Sequence, residues 1–127
     1  MHRTNSYVAL KILLALSSRG EKDSFEIKIL KKISSVSETS THPGRNHVLH
    51  FLDHFTHTGP NGVHVCLVTK VLGNHLWNQA CRFKQRRLPV RVVKVVAKQL
   101  LEGLDFLHRE CGIIHTGTLL SIHFGPM

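Results

Sequence analysis

The sequence predicts an α+β fold on three observations: short alternating apolar runs before residue 73, a Gly-Pro-Asn-Gly turn between two of them, and one long amphipathic run after Pro89. With 127 residues and 42% hydrophobic content, the chain is long enough to bury the core of one domain.

Taken in order, Tyr7–Leu14 is rich in β-branched and large apolar residues and alternates, with Ala9, Lys11 and Leu13 on one face and Val8, Leu10 and Ile12 on the other, which predicts a strand. Ser17–Lys22 is polar and holds Gly20, so it reads as a loop, and Asp23 or Ser24 can cap the helix that follows. Within that helix Glu26, Leu30 and Ile33 fall at i, i+4 and i+7, which places a carboxylate on an apolar stripe where it needs a cation. Ser34–Arg45 is expected to be a polar loop ending in a Pro-Gly turn, followed by a strand over His47–Phe55. Gly59-Pro60-Asn61-Gly62 then joins it to His64–Val71 as a hairpin. A short helix around His75–Phe83 and a basic loop come next, and Pro89 suits the first turn of a helix. From Val90 to Arg109, apolar residues at Val93, Val96, Leu100, Leu104 and Leu107 recur every three or four positions, and Gly112 stands where a helix-ending glycine belongs.

Composition narrows the function classes. Lys and Arg number 17 against 8 Asp and Glu, a net +9 that favours contact with phosphates or acidic surfaces without choosing among them. The densest groups are Lys28, Lys31, Lys32 and Lys84, Arg86, Arg87, Arg91. Aromatic residues do not interleave with them as stacking platforms would, so no direct nucleic-acid partner is expected. The 3 cysteines, Cys66, Cys81 and Cys111, form no CxxC pair and point to a reducing compartment, cytoplasmic or nuclear. Lys11 interrupts the apolar run near the start, which argues against a secretory signal, and no apolar segment reaches the ~20 residues that cross a bilayer. His47, His50, His54 and His57 have no zinc-like spacing and no cysteine or carboxylate set joins them, so no metal site is expected.

The words within this order carry a resemblance. Val8-Ala9-Leu10-Lys11 resembles the V-A-I-K strand of protein kinases, and Glu26 then stands as the lysine's partner on the next helix. More specifically, HPGRNHVLHFLDHFTHTGPNGVHVCLVTKVLG and KQLLEGLDFLHRECGIIHT resemble SR-protein kinases of the fungal type, which phosphorylate arginine-serine-rich splicing factors. The resemblance runs from Tyr7 to Thr116. It implies a partial protein-kinase fold: three strands and the C-helix of the small lobe over residues 1–73, then a hinge-following segment and the first long helix of the large lobe over residues 74–116. Residues 117–127 are a tail unrelated to the family.

For the site, the resemblance implies that Ala9 leaves room for adenine, Lys11 holds the ATP phosphates and Glu26 fixes Lys11. Thr69 stands at the gatekeeper position behind adenine, and the carbonyl of Lys70 and amide of Leu72 contact adenine through main-chain atoms. The family usually has a bulky apolar residue at Thr69 and an acidic one at Lys70.

Larger departures bear on catalysis. No G-x-G occurs, and after His115 and Thr116 the chain has Gly117 where the family's catalytic aspartate belongs. Glycine can neither orient a substrate hydroxyl nor accept its proton, and the expected Mg2+ ligands have no counterpart in GTLLSIHFGPM. No catalytic residue is retained, and His115 is a structural residue of the catalytic loop in the family. The tail reads as the product of altered splicing, a frameshift or a gene-model boundary. The expectation is therefore a truncated serine/threonine kinase, a pseudokinase that at most binds ATP weakly, with arginine-serine-rich splicing factors as implied partners and no membrane partner. Active phosphorylation by a full-length product is the alternative. Without its usual neighbours, the apolar face of the long helix is expected to be bare and to favour self-association.

Overall fold

The computed structural model describes residues 7–13 and 25–115. The chain forms an α+β arrangement with three strands and three α-helices among the described residues: β1 (Val8–Ile12), α1 (Phe25–Thr39), β2 (Phe51–Gly59), β3 (Gly62–Lys70), α2 (Leu76–Ala80) and α3 (Val90–Arg109). Its described residues divide into two compact units, one of residues 7–13, 25–35 and 49–71, the other of residues 36–48 and 72–115.

In the first unit the sheet order is β1-β3-β2, antiparallel throughout, so β3 is central and β1 lies at an edge. β2 and β3 are joined by the two-residue turn Pro60-Asn61, and Gly62 has φ 114°, a left-handed conformation that only glycine adopts cheaply. β1 pairs with β3 so that Ala9 faces Thr69, Lys11 faces Leu67 and Ile12 faces Cys66. Residues directly opposite one another share a sheet face, which places Ala9, Lys11, Leu67 and Thr69 together. Against that face α1 buries Ile27 and Leu30, which form a cluster with Leu67, lined by Leu13, Leu49, Phe51 and Val65. The opposite face of the edge strand stays open, with Val8, Leu10 and Ile12 exposed.

In the second unit, a 3-10 helix (Pro43–His47) lies against α3. Close approach is possible because the contact is made by glycines: Gly44 meets the backbone of Glu102 and Gly103 meets His47. Phe106 is fully buried beneath it, with Val96, Leu107 and Cys111. The rest of α3 is less covered: Val90, Val93, Val95 and Leu101 are exposed. After Arg109 the chain turns at Gly112, φ 63°, and the Ile113 amide donates to the Leu107 carbonyl at 2.8 Å.

Several boundaries differ from the sequence expectation. The polar stretch from Ser34 does not begin a loop, since α1 continues to Thr39. Two of its hydroxyls are satisfied locally, Ser35 Oγ donating to the Lys32 carbonyl and Thr39 Oγ1 to that of Val36, so they do not compete with the helix, whereas Ser37 Oγ is buried without a hydrogen-bond partner among the described residues. Ser34 Oγ donates instead to the Phe51 carbonyl, linking α1 to the start of β2. β2 begins at Phe51 rather than His47, because Pro43 and the His42 side chain, accepting from the Gly44 amide, start a 3-10 turn that takes in His47. α2 is shorter than expected, and Pro89 is the N-cap of α3 rather than part of its first turn. The loop Ser17–Lys22, the caps Asp23 and Ser24, Leu14, and the tail from Thr116 lie outside the described residues.

Candidate functional site: the Lys11–Glu26 pair

Strand alternation fixes which way Lys11 points. It shares the helix-facing side of the sheet with Leu13, but lies nearer the strand's start, beyond the apolar cluster. There its Nζ donates to Glu26 Oε1 at 2.6 Å, across from the first turn of α1. The side chains are 61% and 42% exposed, so the pair is a rim feature worth under about 1 kcal/mol to stability. The inward stripe of α1 is Ile27, Leu30 and Ile33. Glu26 sits beside that stripe, half-exposed, rather than within it. A charge pair that adds little to stability and is open to solvent is available to a ligand. The ammonium keeps two protons for further acceptors while Glu26 restricts where they point.

Ala9 is two residues before Lys11 on the same face, opposite half-buried Thr69, which leaves a small-residue surface beside the ammonium. Lys70 ends β3 with an exposed side chain on the other face, and its amide donates to the His50 carbonyl at 3.1 Å. Leu72 belongs to the second unit and is exposed. Thus the structure brings together Ala9, Lys11, Glu26 and Thr69. Gly117 lies outside the described residues.

Two histidines are engaged with carboxylates of α3. His47 Nε2 pairs with Glu102 at 3.2 Å and His42 Nε2 with Asp105 at 3.1 Å, and Asp105 is also held by Arg109 at 2.7 Å. Because His42 Nδ1 accepts from the Gly44 amide, its Nε2 carries the proton given to Asp105. Among the described residues no group of three or more His, Cys, Asp or Glu could hold a metal ion. No described helix is long and apolar enough to cross a membrane. Sequence reasoning missed these two imidazole–carboxylate pairs. Glu102 and Asp105 share a face of α3 at i, i+3, but the contact depends on a turn that periodicity does not reveal.

His50, just before β2, is held below its ordinary value of 6.5, first by burial and then by the Lys70 ammonium. Its neutral form is thus the one that folding favours. The stability it contributes is complete above the unfolded-state value and is lost as pH falls through the folded one. Urea unfolding followed from about pH 7.5 to about pH 5 should show a falling midpoint, and His50→Gln should flatten that slope. An unchanged slope would assign the acid sensitivity elsewhere.

A lysine on a strand, held by a glutamate on the following helix, beside a small residue and a three-stranded antiparallel sheet, is an arrangement of protein-kinase type. Comparison with known sequences makes this particular: over nearly nine-tenths of its length the chain is homologous to the SR-protein kinases. It is 45% identical over 113 residues to serine/threonine-protein kinase SKY1 of Saccharomyces cerevisiae, a match covering 88% of this chain and 15% of that protein. It is 48% identical over 109 residues to protein kinase dsk1 of Schizosaccharomyces pombe, covering 86% of this chain and 20% of the relative. With human SRSF protein kinase 3 the identity is 39% over 110 residues, 87% of this chain and 19% of the relative. The chain therefore spans a fifth or less of the length of these relatives. No family model matches it.

Proposed function

We propose that this chain is an SR-protein-kinase-type segment that holds ATP weakly through Lys11 and does not itself transfer phosphate. The observation that carries this reading is the 2.6 Å pair between Lys11 and Glu26, on the sheet face shared with Ala9 and Thr69. Lys11 binds the phosphates and Glu26 orients it, while the small side chain of Ala9 leaves space for the base. The main chain of Lys70 and Leu72 is assigned to adenine by the resemblance. ATP would supply a transferable phosphoryl group. Gly117 provides no group to orient or deprotonate a substrate hydroxyl, and among the described residues no group of three or more His, Cys, Asp or Glu could hold a metal ion.

A second reading is favoured by the names of the relatives, which are kinases, one of them of SRSF proteins. In that reading, a longer product carrying the missing groups phosphorylates arginine-serine-rich splicing proteins in the cytoplasm or nucleus.

Nucleotide binding is read by thermal unfolding. ATP at millimolar concentration should raise the melting temperature in proportion to occupancy, and Lys11→Met should remove the rise while leaving the unliganded melt nearly unchanged, since the pair is solvent-exposed. An equal rise in both proteins would place the nucleotide away from Lys11.

A further inference from the structure

We propose that the connector between α2 and α3, together with the first turns of α3, forms a binding surface for single-stranded RNA. Charge is the first observation. No acidic residue lies between Asp53 and Glu102, while Arg82, Lys84, Arg86, Arg87, Arg91 and Lys94 fall within that interval. All six are exposed, and none forms a salt bridge among the described residues. Arg91, Lys94 and Lys98 are spaced i, i+3 and i+7, so they share one face of α3. Of these only Lys98 has a carboxylate partner, Glu102 at a long 3.7 Å. Six uncompensated cations in one stretch repel one another unless a polyanion neutralises them.

The second observation separates RNA from other polyanions. Trp77 is 58% exposed and Phe83 is 41% exposed, although apolar rings of this size are ordinarily buried. They bracket the start of the basic run: the Cys81 amide bonds the Trp77 carbonyl, the Phe83 amide bonds the Ala80 carbonyl, and the Arg86 amide bonds the Phe83 carbonyl. Successive hydrogen-bonded turns therefore carry both rings and the first arginines. By spacing, aromatic residues do not interleave with the basic groups; the observed exposure of Trp77 and Phe83 instead places two rings beside the first of them. Cationic side chains that follow a phosphodiester backbone, beside rings on which bases can stack, are the ingredients of single-strand recognition. RNA is the nucleic acid whose unpaired segments offer free bases for such stacking.

Trp77 is the single tryptophan in the chain, so its fluorescence reports directly on stacking. Titration of the 127-residue chain with a uridine oligonucleotide at about 0.1 M salt should quench that emission. Inorganic polyphosphate of equal charge should displace the oligonucleotide without quenching. Neutralising Arg86, Arg87 and Arg91 to glutamine should weaken binding by at least about tenfold and make the logarithmic salt dependence shallower by about 2. Phe83→Ala should weaken binding by about tenfold and leave the salt dependence unchanged. Circular dichroism of each variant should match the parent, because every substituted side chain is exposed. Three results would overturn the proposal: no binding at this salt, binding that survives the arginine changes, or displacement by polyphosphate with no quenching by RNA and no effect of Phe83→Ala. The last would mark a surface for any polyanion, including a phosphorylated peptide.

Discussion

Replacing Gly44 with alanine should destabilise the second unit by about 3 kcal/mol or more, at the upper end of what overpacking ordinarily costs. A Cβ at this position would overlap the Glu102 carbonyl oxygen, and would lie 2.6 Å from its carbon and 2.8 Å from Phe106 Cβ. Two of these three neighbours are backbone atoms of α3, so no rotamer change relieves the clash. The 3-10 helix must move away from α3, and its movement breaks the contacts that depend on the close approach. These are the His42 and His47 pairs with Asp105 and Glu102, and the cover over buried Phe106. Urea unfolding should show the loss as a lowered midpoint, and hydrogen exchange should place it in α3. A Gly44→Ala protein as stable as the parent would mean that the turn does not rest on the helix as described.

In the first unit the corresponding change is Leu67→Ala, with an expected cost of about 2–5 kcal/mol. Leu67 is 1% exposed on the central strand and joins Ile27 and Leu30 of α1 in the core cluster. Truncation leaves a cavity at the point where helix and sheet meet, and neither the two paired strands nor α1 can close it without losing register. Total stabilities of small domains are only about 5–15 kcal/mol, so one such loss removes a large share. The effect extends to function, because this packing sets the position of α1 and so holds Glu26 within reach of Lys11. Leu67→Ala should therefore also reduce any nucleotide-dependent rise in melting temperature. A loss below about 1 kcal/mol would show that the cluster is not the core of the unit.

Much of this architecture was legible in the residues. Alternation located the three strands, Pro60-Asn61 between glycines located the hairpin, and the 3.6-residue recurrence located α3, because each of these signals is local. Glu26 as a partner for Lys11 was also readable, from order and resemblance, although its half-exposed place at the rim was not. What escaped were outcomes of tertiary contact. Ser34 and Ser35 look like loop residues until their hydroxyls find carbonyls at Phe51 and in the preceding turn. The 3-10 helix at Pro43 requires Gly44 to meet the backbone of α3, and Gly103 of α3 to meet His47, across more than fifty residues of chain. Gln85 and Arg86 adopt left-handed φ of 60° and 52°, which no glycine or asparagine announces. Exposure of Trp77 and Phe83 likewise depends on what surrounds them and not on their spacing.

The proposed division of labour, a nucleotide held at Lys11 with no phosphoryl transfer, meets its most direct test in a transfer assay. The 127-residue chain and its Lys11→Met variant would each be incubated with radiolabelled ATP, Mg2+ and an arginine-serine peptide. With glycine at position 117, both should incorporate label at the same background level. Incorporation by the parent chain that Lys11→Met abolishes would contradict it.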